Sequence, residues 1–223
     1  MATIGFIGSG NLGSALARLV AIAGHDVVLS NSRGPETLGE RLTRVGPRAS
    51  AGTVADAAAR GDLVVVSTPL RAYRSVPVAP LRGKVVIDTI NFDPARDGDY
   101  PEITAGRQTA SGVLQEHLPE SFVVKAFSNM FFKHLATMGR PAGAPDRSTL
   151  PIAGDDAEAK RTVATLADEA GFDTLDAGPL AESRRFARGT PAFHAYLDPD
   201  GMFTAPGRPA STTALAKLLA AAN

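Results

Sequence analysis

Gly8-Ser9-Gly10-Asn11-Leu12-Gly13 is the stretch whose residue types and spacing carry the plainest chemistry. Three glycines spaced this way suit a chain that must cradle a pyrophosphate. The first permits a tight turn. The second has no Cβ, so the backbone can approach the phosphates. The third lets a helix pack closely on a sheet. A helix beginning here adds free N–H groups and a partial positive charge. The motif has this meaning only between a strand and a helix. Thr3 to Ile7 is a short apolar run rich in β-branched residues and reads as a buried strand. Leu12, Leu16, Leu19, Val20 and Ala23 then recur at helical spacing, Gly24 stops the helix, and Val27 to Leu29 form a second strand. The context favours dinucleotide binding over a glycine-rich turn in some other α/β fold.

The end of the second strand bears on which dinucleotide. NAD enzymes usually place an acid there for the ribose 2′-hydroxyl. Here stand Asn31, Ser32 and Arg33, with no acid until Glu36. A guanidinium can fork onto a 2′-phosphate that an acid would repel. NADP(H) is therefore expected, with a solvated Arg33 as the alternative. Further along, Leu63 to Ser67 reads as a strand buried on both faces. Ligands lie at the carboxyl ends of such strands, so Ser67, Thr68 and Pro69 should border the nicotinamide half. Asn91 follows the strand Lys84–Asp88, and Ser128 and Asn129 follow the strand Phe122–Phe127; these three are candidate substrate residues. Asn91 reads equally as a turn former. Lys125 is unusual in so apolar a run and either lines the site or snorkels from a strand end.

The elements that must position these groups alternate strand and helix. Helices are expected over Gly34–Val45, Thr53–Arg60, Leu70–Val78, Ser111–Leu118, Ala157–Ala170 and Ser211–Ala222, with a long polar loop over Phe92–Arg107. Asp155 and Glu158 have capping-box spacing. The Pro- and Gly-rich stretch Gly139–Ser148 divides residues 1–138, an NADP-binding domain, from a smaller part, 149–223. That part would add one more β-α-β unit and helices and cover the substrate cleft. The fold class is α/β, a Rossmann doubly wound, mostly parallel sheet with a small C-terminal appendage.

Composition narrows the function further. The 23 basic residues balance the 23 acidic ones, so nothing points to nucleic acid or to a membrane surface. There is no cysteine, which removes disulfides, thiolate metal sites and thiol catalysis; the four histidines show no metal-ligand spacing. No apolar run is long enough to span a bilayer, and the first strand leaves no room for a signal peptide, so a cytoplasmic protein is expected. A homodimer is suggested by the apolar helix Ala214–Ala222; the alternative is that this helix packs on its own sheet. No Tyr-x-x-x-Lys pair occurs at Tyr73, Tyr100 or Tyr196, which argues against a short-chain dehydrogenase. Hydride transfer to or from a bound dinucleotide needs positioning rather than a nucleophile, and no catalytic residue is assigned. Were a proton required by a small-molecule carbonyl or imine, His134 and Lys125 are available. Arg184, Arg185 and Arg188 form a basic cluster, read either as an anion contact or as a solvated face.

The pieces IGFIGSGNLGSALA, NSRGPETL, VVIDT, VVKAF, RPAGAPDR, PIAGDD and GFDTLDAGPLAES together span most of the chain up to Ser183. With them the sequence resembles the NADPH-dependent reductases of coenzyme F-420, the 8-hydroxy-5-deazaflavin:NADP oxidoreductases. The resemblance implies a deazaflavin, coenzyme F-420, held over the nicotinamide in the cleft between the two parts. It also implies that Gly8 to Gly13 hold the pyrophosphate and that Asn31, Ser32 and Arg33 hold the 2′-phosphate. The sequence departs from the family pattern at two places. Ser128 stands where many relatives carry Asn, with Asn129 one place on. Arg184 stands where relatives close to this type often carry Trp.

Overall fold

A computed structural model describes residues 1–198, 203 and 206–222. Its strands are β1 (Thr3–Ile7), β2 (Asp26–Ser30), β3 (Ala49–Ala51), β4 (Leu63–Val66), β5 (Val85–Asp88), β6 (Phe122–Lys125), β7 (Thr149–Gly154) and β8 (Asp173–Asp176). The helices are α1 (Asn11–Ile22), α2 (Gly39–Val45), α3 (Val54–Arg60), α4 (Pro94–Asp97), α5 (Pro101–Thr104), α6 (Ala110–His117), α7 (Phe132–Met138), α8 (Ala157–Glu169) and α9 (Thr212–Ala220). The strands form a sheet in the order β3-β2-β1-β4-β5-β6-β7-β8. From β3 to β6 every pairing is parallel; β7 runs antiparallel to β6, and β8 parallel to β7. Strand order reverses between β1 and β4, which opens a crevice at their carboxyl ends.

The sheet is α/β and doubly wound because its strands are apolar on both faces. All four residues of β4 are buried. Val65 joins Phe6, Ile87 and Leu16 of α1 on one face, and Val64 and Val66 join Val28, Val86 and Leu114 of α6 on the other. Each fully buried aliphatic side chain contributes roughly 1.5–3 kcal/mol of transfer free energy. Thr53 caps α3: its Oγ1 accepts from Asp56 N at 3.1 Å, and Asp56 Oδ2 accepts from Thr53 N at 2.9 Å.

Several expectations need correction. Leu70–Val78 is not an α-helix; a 3₁₀ turn spans Leu70–Ser75 and another Ala79–Leu81. Pro77 disfavours helical backbone at Val76, which is extended (φ −73°, ψ 121°). The Phe92–Arg107 stretch is not all loop, because Pro94 and Pro101 open α4 and α5 at their first positions. α8 is capped by Asp156, whose Oδ1 accepts from Ala159 N at 2.7 Å. Asp155 instead accepts from Leu180 N at 2.9 Å and ties down the 3₁₀ turn Leu180–Phe186. α7 was not anticipated.

α9 turns Leu215 and Leu219 inward against Phe186 and Ala192, so its apolar face is covered by its own chain. The expected homodimer loses its ground on that helix. The stretch Gly139–Ser148 is pinned: the buried Arg147 guanidinium donates to Asp173 Oδ1 at 2.8 Å, to Arg140 O at 2.8 Å and to Phe172 O at 3.0 Å. The sequence from Gly189 to Gly207 reads as loop-rich, and that stretch lies partly outside the described residues. Among the described residues, no helix is long and apolar enough to cross a membrane.

Candidate functional site

The crevice between β1 and β4 is shaped by its glycines. Gly8 has φ 109°, and a Cβ there would lie 2.2 Å from Ser67 O. A Cβ at Gly13 would lie 2.4 Å from Gly8 O, so α1 could not seat under the turn. Both positions exclude a side chain on contact grounds alone. At Gly10 a Cβ would meet nothing within 4 Å, so the backbone there faces open space. That is where a phosphate group needs room and exposed amides.

A cavity of about 280 Å³ brings the Gly8–Gly10 turn, Asn31–Arg33 and Ser67–Pro69 to one place. Its described lining carries no acid. Asn31 works on its own loop: Oδ1 accepts from Arg33 N at 2.8 Å and Gly34 N at 3.0 Å, and Nδ2 donates to Thr37 Oγ1 at 2.9 Å. This holds Arg33 at the rim, exposed, its guanidinium without a partner among the described residues. Thr68 Oγ1 is buried and has no hydrogen-bond partner among them either. An open backbone, a free guanidinium and an orphaned hydroxyl in an acid-free crevice fit a phosphorylated dinucleotide. Gly13 lies beneath this cavity, while Asn11 and Leu12 border the next one.

That second cavity, about 250 Å³, runs from Asn11 and Leu12 to Asn91, Ser128, Asn129 and the rings of Phe131, Phe132 and Phe193. The three candidate substrate residues thus share one cleft. Asn91 Nδ2 donates to Ser128 O at 2.6 Å, and Asn129 Nδ2 donates to Ala192 O at 2.9 Å. Ser128 Oγ and Asn129 Oδ1 are buried without partners among the described residues. The turn that places them begins at Phe127, which is fully buried at φ 58°. A left-handed conformation costs a bulky residue energy and is retained only where packing enforces it.

Lys125 borders a larger cavity, about 570 Å³, on the far side of Asn91. Its ammonium is buried and donates to Asp88 Oδ2 at 3.3 Å and to Ile90 O. Burial pushes its pKa down, against the opposing pull of Asp88. His134 stands away from all three cavities, on α7 against Phe131, with ring centroids 5.3 Å apart. The basic cluster divides. Arg184 and Arg188 line the larger cavity, whereas Arg185 turns to α9 and donates to Leu219 O at 3.1 Å.

Residues 3–92 match the family model of coenzyme F-420-dependent NADP oxidoreductases. Over these residues the chain is similar to that family. A hypothetical protein of Sinorhizobium meliloti has a similar structure: TM-score 0.73, 29% identity, covering 85% of this chain and 91% of that one. A protein of Arthrobacter sp. FB24, ascribed by inference to the F-420-dependent NADP-reductases, superposes with TM-score 0.70 at 26% identity, covering 82% and 88%. The metalloreductase STEAP3 of Rattus norvegicus is 31% identical over 186 residues, which is 81% of this chain and 35% of that protein. The chain spans less than half the length of the curated relatives it matches.

The family match takes in the glycine turn, Asn31–Arg33, Ser67–Pro69 and Asn91; Ser128 and Asn129 lie beyond it. Among the lining residues that the sequence reading missed, one is charged. Arg41 lines the same crevice as Arg33, and its Nη1 donates to Ser14 Oγ at 3.2 Å. The available signal was a second cation eight positions after Arg33, on the helix that follows the strand–loop.

Proposed function

We propose that the protein catalyses hydride transfer between NADPH and coenzyme F-420. The observation that carries this reading is that consecutive residues of one turn line two cavities. Gly8–Gly10 line the acid-free crevice with Arg33, and Asn11 and Leu12, next in the chain, line the aromatic cleft with Asn91, Ser128 and Asn129. The Gly8–Gly13 turn would hold the pyrophosphate, Ser32 and Arg33 the 2′-phosphate, and Ser67–Pro69 the nicotinamide half. Asn31 contributes by shaping the loop that presents Arg33. NADPH, when bound, supplies the hydride. The chain's share is to orient two rings and to exclude water, for which the walls of Phe131, Phe132 and Phe193 suit a planar acceptor. Ser128 Oγ and Asn129 Oδ1 would fix that acceptor's polar edge. The division of labour is proposed as residues 1–138 for NADP and the smaller part from 149 for covering the cleft.

The test is the loss of NADPH absorbance on adding oxidised F-420. Turnover is expected with NADPH and much less with NADH; no turnover with either would reject the reading. The likeness to a metalloreductase favours a second one, reduction of another small acceptor such as a flavin, quinone or imine. Turnover with one of these, and none with F-420, selects it. A non-catalytic NADP(H) sensor would bind the cofactor and turn over nothing.

A further inference from the structure

A third cavity belongs to neither half of that reading. It lies beyond Asn91, between the segment Ile90–Ser111, the end of β6 and the chain after the 3₁₀ turn Leu180–Phe186. Its volume, about 570 Å³, is that of a small-molecule site. Ile90, Phe92 and Ile103 give it an apolar wall.

Its polar lining is one-sided. Lys125, Arg184 and Arg188 border it, and among the described residues no acid does. Their counter-ions Asp88, Glu182 and Asp93 stand outside the lining. The N-terminal turn of α6 enters through Thr109, Ala110 and Ser111. Thr109 Oγ1 is used as the cap, accepting from Gly112 N at 2.9 Å. Ser111 is different. It is 1% exposed, it lines the cavity, and its Oγ has no partner among the described residues. A buried hydroxyl without a partner costs free energy, and a ligand acceptor would remove that cost. A helix N-terminus beside it favours a negative charge.

We infer that this cavity binds a small apolar molecule carrying one carboxylate, separate from the hydride acceptor. The carboxylate accepts from Ser111 Oγ at the start of α6, and the apolar body lies on Ile90, Phe92 and Ile103. The site does not overlap the dinucleotide crevice, so both ligands bind at once. Asn91 borders this cavity and the acceptor cleft, and is the one wall they share.

The probe is 2-naphthoate, titrated by calorimetry into the full chain with and without saturating NADP, beside its neutral counterpart 2-naphthylmethanol. Naphthoate should bind in both cases, and the alcohol about tenfold more weakly or worse. Ser111→Ala should weaken naphthoate about tenfold and leave Tm unchanged or higher, because it removes a hydroxyl that has no partner. Arg184→Gln, at the mouth, should weaken it several-fold without reference to Ser111. No binding of naphthoate, equal binding of the alcohol, displacement by NADP, or Ser111→Ala binding naphthoate like the parent would each overturn the inference. None of these readouts depends on turnover with F-420.

Discussion

A ribose 2′-phosphate carries between one and two negative charges near neutral pH, and one exposed guanidinium on a flexible stem answers it only if the stem is held. Asn31 supplies the hold at the backbone, through its two bonds to Arg33 N and Gly34 N. Arg41 supplies a second cation from α2, steadied by Ser14 on α1. The two arginines line one crevice and reach it from opposite sides of the turn into α2. Arg33→Ala is therefore expected to raise the Kd for NADPH about tenfold or more and to leave NADH nearly unchanged. Arg41→Ala should act in the same direction and less strongly, because part of its role is to hold Ser14. Fluorescence titration with both dinucleotides reads this directly. An equal loss for NADH would remove Arg33 from the 2′-phosphate. Raised salt should shrink the NADPH advantage of the parent, since the contact is exposed.

Between β5 and α6 the chain carries Asn91 to the cleft on a segment held by one acid. The Asp97 side chain is fully buried; its carboxylate accepts from Asp93 N at 3.0 Å, from Arg71 N at 3.4 Å, and from Arg96. Arg96 also donates to Asn91 O, so the acid sets the position of Asn91 through one intermediary. Burial alone would raise the pKa of Asp97, but the bonds from Arg96, Asp93 and Arg71 outweigh it and hold the carboxyl below its usual value. A folded-state pKa below the unfolded one stabilises the protein at pH above the ordinary aspartate value, near 4. That contribution is lost as pH falls through the depressed value. Asp97→Asn should cost about 1–3 kcal/mol at pH 7 and flatten the fall of stability as pH drops below about 4. Chemical denaturation at stepped pH values checks both signs; a parallel fall in the two proteins would exclude Asp97 as a source of acid sensitivity. Such a network is hard to see in a sequence. Phe92–Arg107 reads as loop because it is polar and broken by Pro94 and Pro101, yet those prolines start the short helices α4 and α5. The reverse error at Leu70–Val78 has the same source, a proline whose effect reaches the residue before it. α7 is seven residues long, too short for its spacing to stand out from the Phe131-Phe132 pair at its start.

At the scale of the whole chain, what could be read early is what is close in sequence. The crevice needs Gly8–Gly13 and Arg33, and a strand–helix–strand run of some thirty residues displays them together. The cleft and the cavity at Ser111 are closed by Phe193 and by Ser183–Thr190, roughly sixty to a hundred and eighty residues from their other walls, and no spacing rule connects those segments. Packing connects them instead. A single apolar cluster contains Phe6, Leu16 and Val65 from the opening strands and Leu150, Val163, Phe172 and Tyr196 from beyond the Pro- and Gly-rich stretch. Tyr196 donates to Thr149 O at 2.6 Å, and burial pushes its phenol pKa well up. His25, in the turn after α1, lies 2.9 Å from Glu169 at the end of α8, and Arg147 pins the stretch between the two parts. Separating the parts would expose both sides of that cluster at roughly 25 cal/mol for each Å² of apolar surface. That cost is set against a total stability of only about 5–15 kcal/mol. The chain should therefore unfold in one transition, with calorimetric and van't Hoff enthalpies equal and with tertiary and secondary probes coincident. Saturating NADPH, bound mainly by residues before Asn91, should move that whole transition upward rather than split it. Two resolved heat-absorption peaks, or a cofactor-induced shift confined to one of them, would show that the parts fold independently and that the cleft between them is only loosely set.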